Sequence, residues 1–178
     1  DLAERGSFNS SLVKFDEAMK QTIEMASAAY KNEDGVVGVP TGLRDLDDKL
    51  GGLHQSDLVI IAGRPSMGKT SLATNIAFNA AQKLQESGKK SSIAFFSLEM
   101  SSEQLATRIL AEQTKISGDK MRKAEFSKND FSKITKVSNE LDKLNLIIDD
   151  NPVLTIPSLR ARARRLKRIH NINLIIID

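Results

Sequence analysis

The sequence contains no cysteine and no tryptophan, and only one tyrosine among its 178 residues. Without cysteine the chain has neither a disulfide framework nor a thiolate metal site, which is compatible with the reducing cytoplasm where we expect it to act. Aromatic residues make up 4% of the chain, so few side chains are available to stack on unpaired bases. A disulfide-stapled secreted domain and a cysteine-ligated metal centre are therefore excluded.

Long apolar runs are also missing. The longest ones, such as 58–62 and 174–177, are far shorter than the roughly 20 residues that a membrane-spanning helix needs. The polar residues 1–7 do not resemble a secretory signal, and no membrane partner is expected. The net charge is only +3, from 26 basic and 23 acidic residues, which is too small to indicate a nucleic-acid binder by itself. The composition fits one soluble globular domain.

Strands and helices are predicted to alternate along the chain. The run 58–62 has no polar residue, which is typical of a strand covered on both faces. Including it, strands are predicted at 57–62, 92–97, 144–148 and 172–177. Helices are predicted at 69–86, at 103–115, from Ser127 onward and at 157–170. This order favours an α/β fold with a mostly parallel sheet flanked by helices.

An amphipathic helix is predicted ahead of this core. Apolar residues in the segment 12–30 recur at steps of three and four, which is the period of one helix face. Ser10 or Ser11 would cap its start. Two glycines and a proline then break the pattern, so we expect a helical region at 1–34 and the α/β domain at 35–178.

The strongest functional signal is Gly63-Arg-Pro-Ser-Met-Gly68-Lys69-Thr70, which fits the phosphate-loop pattern at every fixed position. Glycines let the backbone curl so that successive N–H groups point inward at a helix start. Lys69 would reach the β- and γ-phosphates, and the Thr70 hydroxyl would ligate Mg²⁺. The alternative is a strand–turn–helix in which the glycines serve only the turn. We predict ATP and Mg²⁺ as ligands, with a nucleotide-binding set of Gly63, Arg64, Pro65, Ser66, Met67, Gly68, Lys69, Thr70 and Ser71.

Two carboxylates follow predicted strands at the edge where α/β sheets place ligands. Asp178 ends the run 174–177 and is predicted to join Thr70 as a metal ligand. Glu99 follows the strand at 92–97 and is predicted, with Lys69, to be catalytic. For each acid alone, a surface residue that ends a strand is an equal interpretation. The phosphate loop favours the functional one.

Two other charged segments have simpler interpretations. Asp149 and Asp150 precede Asn-Pro and are explained by turn chemistry. The basic run 160–168 invites a nucleic-acid interpretation, but Leu159, Ala163, Leu166 and Ile169 or His170 form an apolar stripe beside it. We therefore interpret the run as a solvated or subunit-contacting face, with direct phosphate contact as the alternative.

In the motifs described above, the sequence resembles the replicative DNA helicase family called DnaB. The resemblance covers nearly the whole chain and is more specific than the phosphate loop alone. Segments similar to the family occur in the right order at 40–47, 51–53, 63–70, 95–100, 149–156, 159–167 and 174–178.

The resemblance implies a RecA-like ATPase motor that unwinds DNA from 5′ to 3′. Lys69 and Thr70 would bind the triphosphate and Mg²⁺, Glu99 would activate water, and Asp178 would be the Walker B acid. The segment 12–30 would be a linker helix that docks on the next subunit of a homo-hexamer, with packing on its own domain as the alternative. Single-stranded DNA, primase and a helicase loader are the implied partners.

In the family, the DNA-contacting loops and the arginine finger follow the Walker B strand. We therefore expect the sequence to be a fragment, with an incomplete RecA-like core and little turnover of its own. Three other functions remain open at this point: another RecA-type recombination or repair ATPase, a non-catalytic ATP-dependent module such as a helicase-loader-like protein, and a nucleotide kinase.

Overall fold

The computed structural model describes residues 14–31, 36–88 and 90–178. Within these residues three strands are formed: β1 (Ser92–Phe96), β2 (Leu146–Asp149) and β3 (Ile172–Ile177). The helices are α1 (Phe15–Lys31), α2 (Arg44–Leu50), α3 (Lys69–Glu86), α4 (Ser102–Thr114), α5 (Gly118–Arg122), α6 (Lys128–Leu141) and α7 (Ile156–His170). The short helices α2 and α5 are absent from the predicted pattern. All the longer helices were predicted, with ends that differ by only a few residues.

The three strands form a parallel sheet in the order β2-β1-β3. The central strand β1 is buried along its whole length. Because successive side chains of a strand point to opposite faces, Ile93 and Phe95 face one layer of helices while Ala94 and Phe96 face another. The predicted parallel sheet with helices on both faces is confirmed.

Two apolar clusters hold these layers together. On one face, Ile93 and Phe95 pack with Leu105 of α4 and with Ala77 and Leu84 of α3. On the other face, Ala94 and Phe96 pack with Ile172, and Leu159 and Leu166 of α7 close this second cluster. The predicted stripe of α7 is therefore confirmed in its centre, whereas Ile169 near its end is exposed.

The predicted helix starts depend on side-chain caps, and the structure forms them. Ser101 and Gln104 make a reciprocal capping box at the start of α4, as do Ser127 and Asp130 at α6. Each box satisfies two backbone N–H groups that the first turn of a helix leaves without a partner. The pKa of Asp130 is held below its usual value because the Ser127 backbone N–H donates to its charged form.

The segment before the phosphate loop is anchored by a buried carboxylate. Asp47 accepts hydrogen bonds from the backbone N–H and hydroxyl of Thr41 at 2.8 and 2.7 Å and from the Gly42 N–H at 3.0 Å. Asn79 of α3 donates to the Thr41 carbonyl at 3.2 Å. Gly42 has a φ of 75°, and a Cβ there would meet Asn79 at 2.4 Å. This position therefore requires glycine.

The strand predicted at 57–62 is wrong. These residues lie outside every strand of the described sheet, and Leu58 and Ile60 are 86% and 79% exposed. The described sheet consists of β1, β2 and β3, and the run pairs with none of them. An apolar run shows that a segment could be buried in a sheet. Whether it forms a strand also depends on a neighbouring strand that pairs with it.

The predicted N-terminal helix is confirmed for residues 15–31. Its caps Ser10 and Ser11 and the boundary near residue 35 lie outside the described residues. The apolar side chains of Phe15, Ile23 and Tyr30 are exposed, so the structure does not favour packing of this face on its own domain. None of the described helices is long and apolar enough to cross a membrane.

Candidate nucleotide-binding site

The phosphate loop curls into the start of α3, as its sequence predicts. Ser66 and Gly68 both have a left-handed backbone, with φ of 63° and 87°. Gly68 is the N-cap residue of α3, and no side chain caps that end of the helix. The first N–H groups of an 18-residue helix are therefore left for an anion, at the positive end of the helix dipole.

Lys69 spans the mouth of this loop. Its ammonium donates to the carbonyls of Gly63 and Arg64 at 3.1 and 3.2 Å. A Cβ at Gly63 would lie 3.7 Å from the Lys69 side chain, so the lysine stem runs across the glycine backbone. The positive charge is thus held where a phosphate chain inside the loop would lie.

Thr70 follows at the second position of α3. Its carbonyl accepts a hydrogen bond from the Thr74 hydroxyl at 2.6 Å. In the part of the chain that the structure describes, the hydroxyl of Thr70 itself makes no hydrogen bond. Its oxygen is therefore available as a ligand for a cation.

The backbone of both predicted acids lies at the carboxyl edge of the sheet. The Asp178 N–H donates to the Phe96 carbonyl at 2.9 Å, and the Leu98 N–H donates to the Asp178 carbonyl at 2.8 Å. These bonds extend the pairing of β1 and β3 past the last strand residues. Glu99 comes directly after Leu98 and is exposed, so the backbone brings both carboxylates to one edge.

Asp178 carries the clearest sign of a cation ligand. Its Oδ2 atom is buried and has no hydrogen-bond partner among the described residues. Leaving a carboxylate oxygen buried without a partner is unfavourable by several kcal/mol, and a cation would remove that penalty. No group of three acidic or histidine side chains surrounds it in the described ranges. Mg²⁺ typically takes one or two protein oxygens and completes its shell with phosphate and water, so the Oδ2 atom of Asp178 is a candidate ligand for it.

The structure brings the acids together but does not join them directly to the loop. Across residues 36–88 and 90–178, no hydrogen bond or ion pair connects Lys69 or Thr70 with Glu99 or Asp178. The helix α4, which follows Glu99 in the chain, is bonded to α3 instead. Its Arg108 donates from Nη1 to the Ser71 hydroxyl at 2.8 Å. Arg108 follows no recognisable sequence pattern, and the sequence analysis missed it.

The turn interpretation of Asp149 and Asp150 is incomplete. Asp149 does accept from the Asn151 N–H at 3.2 Å, which is turn chemistry. It also accepts from Arg162 of α7 through both carboxylate oxygens, at 2.8 and 2.6 Å. Asp150 accepts from the Ser102 N–H at 2.8 Å, and this bond holds the pKa of Asp150 below its usual value.

The same contacts divide the basic run 160–168. Arg162 is turned toward the sheet and is neutralised by Asp149, while Lys167 donates to the Ile172 carbonyl at 2.8 Å. Arg164, Arg165 and Arg168 are exposed. Part of the run is therefore structural, which agrees with the interpretation of an ordinary amphipathic helix.

Comparison with known proteins places this site in a known architecture. Residues 38–178 match the family model of the DnaB-like helicase C-terminal domain. The replicative DNA helicase DnaB of Rickettsia conorii is 42% identical over the whole chain, and that of Geobacillus stearothermophilus is 37% identical over 89% of it. The chain spans 37% and 34% of the lengths of these two relatives.

Two solved structures have the same fold. The ATPase domain of G40P superposes with a TM-score of 0.81 at 27% identity, covering 93% of this chain and 56% of that one. A DnaB-like replicative helicase, whose structure was studied for its interactions with primase, gives a TM-score of 0.79 at 27% identity. It covers 93% of this chain and 39% of that one. The three-stranded sheet and its helices are thus the RecA-like core of such ATPase domains.

Proposed function

The chain belongs to the family of DnaB-like helicase C-terminal domains, and from this we propose that it is the nucleotide-binding part of a replicative DNA helicase that unwinds DNA from 5′ to 3′ at the expense of ATP. One observation supports the proposal most strongly. The uncapped start of α3 provides an anion site, and the backbone places Glu99 and Asp178 at one edge of the sheet. Binding and hydrolysis of a nucleoside triphosphate need both features.

The phosphate loop binds the triphosphate tail. The N–H groups of Arg64 and of residues 66–70 donate to phosphate oxygens, and their fixed orientation costs no rearrangement on binding. The Lys69 ammonium exchanges its bonds to Gly63 and Arg64 for bonds to the β- and γ-phosphates. Because these are charge-assisted hydrogen bonds, they are stronger than the carbonyl contacts that they replace.

Thr70 and Asp178 would hold Mg²⁺. When bound, the ion neutralises charge that develops on the phosphate oxygens. The Thr70 hydroxyl offers a neutral oxygen, and the unpartnered Oδ2 of Asp178 offers a charged one. Both residues are placed by rigid elements, the first turn of α3 and the end of β3.

Glu99 acts on the attacking water. Its carboxylate accepts a proton from that water and orients the oxygen toward the γ-phosphate. The side chain is exposed, so solvent reaches it directly. Its position is set by the backbone that leaves β1 and enters α4.

Assembly and partners follow from the same proposal. The exposed apolar face of α1, with Phe15, Ile23 and Tyr30, supports docking of this helix on the neighbouring subunit of a homo-hexamer. Single-stranded DNA is the proposed track. Primase and a helicase loader are the proposed protein partners, and the protein acts in the cytoplasm.

The test is ATPase activity and strand unwinding by the full-length gene product that contains this chain, with and without single-stranded DNA. We expect steady 5′-to-3′ unwinding. The 178-residue chain alone should bind MgATP weakly and turn it over near background, because an arginine finger adds about 10³ to 10⁵ in rate in related NTPases. In the family that residue belongs to a segment beyond the Walker B strand.

Three outcomes would contradict the proposal. Filament formation on DNA without unwinding would indicate a recombinase. Nucleotide binding without any turnover by the full-length product would indicate an interaction module. DNA-stimulated hydrolysis by the 178-residue chain alone would show that the chain holds a complete catalytic site.

A further inference from the structure

The turn that carries Glu99 has no buried side chain of its own to fix the carboxylate. Glu99 and Leu98 are both exposed. The turn is held through its ends, since Ser97 is buried and its hydroxyl accepts from the Met100 N–H at 3.2 Å. At the other end, α4 begins at Ser102, only three residues after Glu99. The direction of α4 therefore sets the direction of the turn.

Asp150 fixes the first residue of α4. Its Oδ2 accepts from the Ser102 N–H at 2.8 Å across 48 residues of sequence. A carboxylate at a helix N-terminus is favoured by the helix dipole as well as by the hydrogen bond. The neighbouring Asp149 is the last residue of β2, and both of its carboxylate oxygens accept hydrogen bonds from Arg162. Asp150 is thus presented from a rigid strand end.

Arg108 fixes α4 at a second point. It lies six residues after Ser102, which is about 9 Å along the helix at 1.5 Å per residue. Its guanidinium donates to the hydroxyl of Ser71, the residue that follows Thr70 at the start of α3. One end of α4 is thus tied to the sheet edge and its second turn to the helix that the phosphate loop begins.

We propose that Asp150 and Arg108 are positioning residues that hold α4, and through it Glu99, at a fixed distance from the phosphate loop. This rests on the proposed role of Glu99 as the residue that orients water. Two anchors about 9 Å apart fix both the position and the tilt of α4. Apolar packing of Leu105 in the core also holds α4, and the two polar anchors add fixed points at its N-terminal turns.

The expected effect lies in catalysis rather than in nucleotide binding. The loop binds the phosphates with its own N–H groups and with Lys69. Asp150 bonds to none of these groups, and Arg108 contacts only the neighbouring Ser71. A misplacement of about 1 Å at a catalytic group costs up to 10²-fold in rate. Loss of an anchor should therefore lower kcat and leave the KM for MgATP nearly unchanged.

The experiment measures kcat and KM for MgATP in the full-length gene product. Asp150→Ala and Arg108→Ala should each lower kcat about tenfold or more, with KM changed by less than about twofold. Asp150→Asn keeps an oxygen that accepts from Ser102 and should recover most of the rate. Asp142→Ala, which removes an exposed acid beyond α6, is the matched control and should have no effect. If Asp150→Ala does not fold, as judged by circular dichroism, Arg108→Ala and Arg108→Lys carry the same test.

A double-mutant comparison separates positioning from general destabilisation. In the Glu99→Gln background, Asp150→Ala should have no further effect on single-turnover hydrolysis, because the group that it positions is already gone. If both alanine variants keep a normal kcat while Glu99→Gln does not turn over ATP, the positioning role alone is overturned. A full additional loss in the Glu99→Gln background would also overturn it. Normal turnover by Glu99→Gln would instead remove the proposed role of Glu99, and the positioning role with it.

Discussion

Replacing Lys69 with alanine should weaken MgATP binding by about 10- to 100-fold. The substitution removes the ammonium group of the phosphate loop. This group lies across the loop opening, where it donates to the carbonyls of Gly63 and Arg64. A hydrogen bond to a charged group contributes about 1.5 to 3 kcal/mol, and each 1.4 kcal/mol is tenfold in affinity. The loop N–H groups remain, so binding should weaken without disappearing.

Titration calorimetry with a non-hydrolysable ATP analogue and Mg²⁺ measures this loss. Lys83→Ala is the matched control, since Lys83 lies on the same helix α3 and pairs with Glu86 at the exposed surface. It should bind as tightly as the wild type. Unchanged affinity in Lys69→Ala would show that the loop does not hold the phosphates.

Replacing Glu99 with glutamine should lower kcat by about 10² to 10⁴, which is the usual contribution of a general base. Glutamine keeps the size of the side chain but cannot take a proton from water. In the described residues Glu99 makes no hydrogen bond or ion pair with Lys69 or Thr70, so MgATP affinity should stay within about twofold of the wild type.

Single-turnover hydrolysis in the full-length gene product measures the catalytic loss, and calorimetry measures the affinity. Glu112→Gln provides the control, because it makes the same change at an exposed position on α4. Full turnover by Glu99→Gln would assign the base to another residue. A parallel loss of affinity would indicate instead that the substitution distorts the phosphate loop.

The features that local chemistry determines could be predicted from the sequence. Ser101 and Ser127 predict helix starts, because a serine hydroxyl and an acid or amide side chain three residues later satisfy the first N–H groups of a helix. Both capping boxes form. The phosphate loop was predictable for the same reason. Its glycines and lysine act within eight neighbouring residues.

The features that depend on distant partners could not be predicted. The run 58–62 has the composition of a buried strand, but strand pairing depends on segments far away in the chain, and the run is left exposed. Asp150 and Arg108 find their partners 48 and 37 residues away, and no spacing rule links such pairs. The placement of Glu99 and Asp178 at one edge of the sheet was predictable, since carboxyl ends of parallel strands share one edge.

The central claim is that a phosphate chain is held by inward-facing N–H groups at the start of α3, with Lys69 across its mouth. The most direct measurement is the change in backbone amide NMR shifts of the chain when MgATP is added. The largest changes should fall on Arg64 and residues 66–70, since Pro65 has no N–H, with smaller ones at Glu99 and Asp178. Shifts confined to other parts of the chain, with Arg64 and residues 66–70 unaffected at saturating nucleotide, would contradict it.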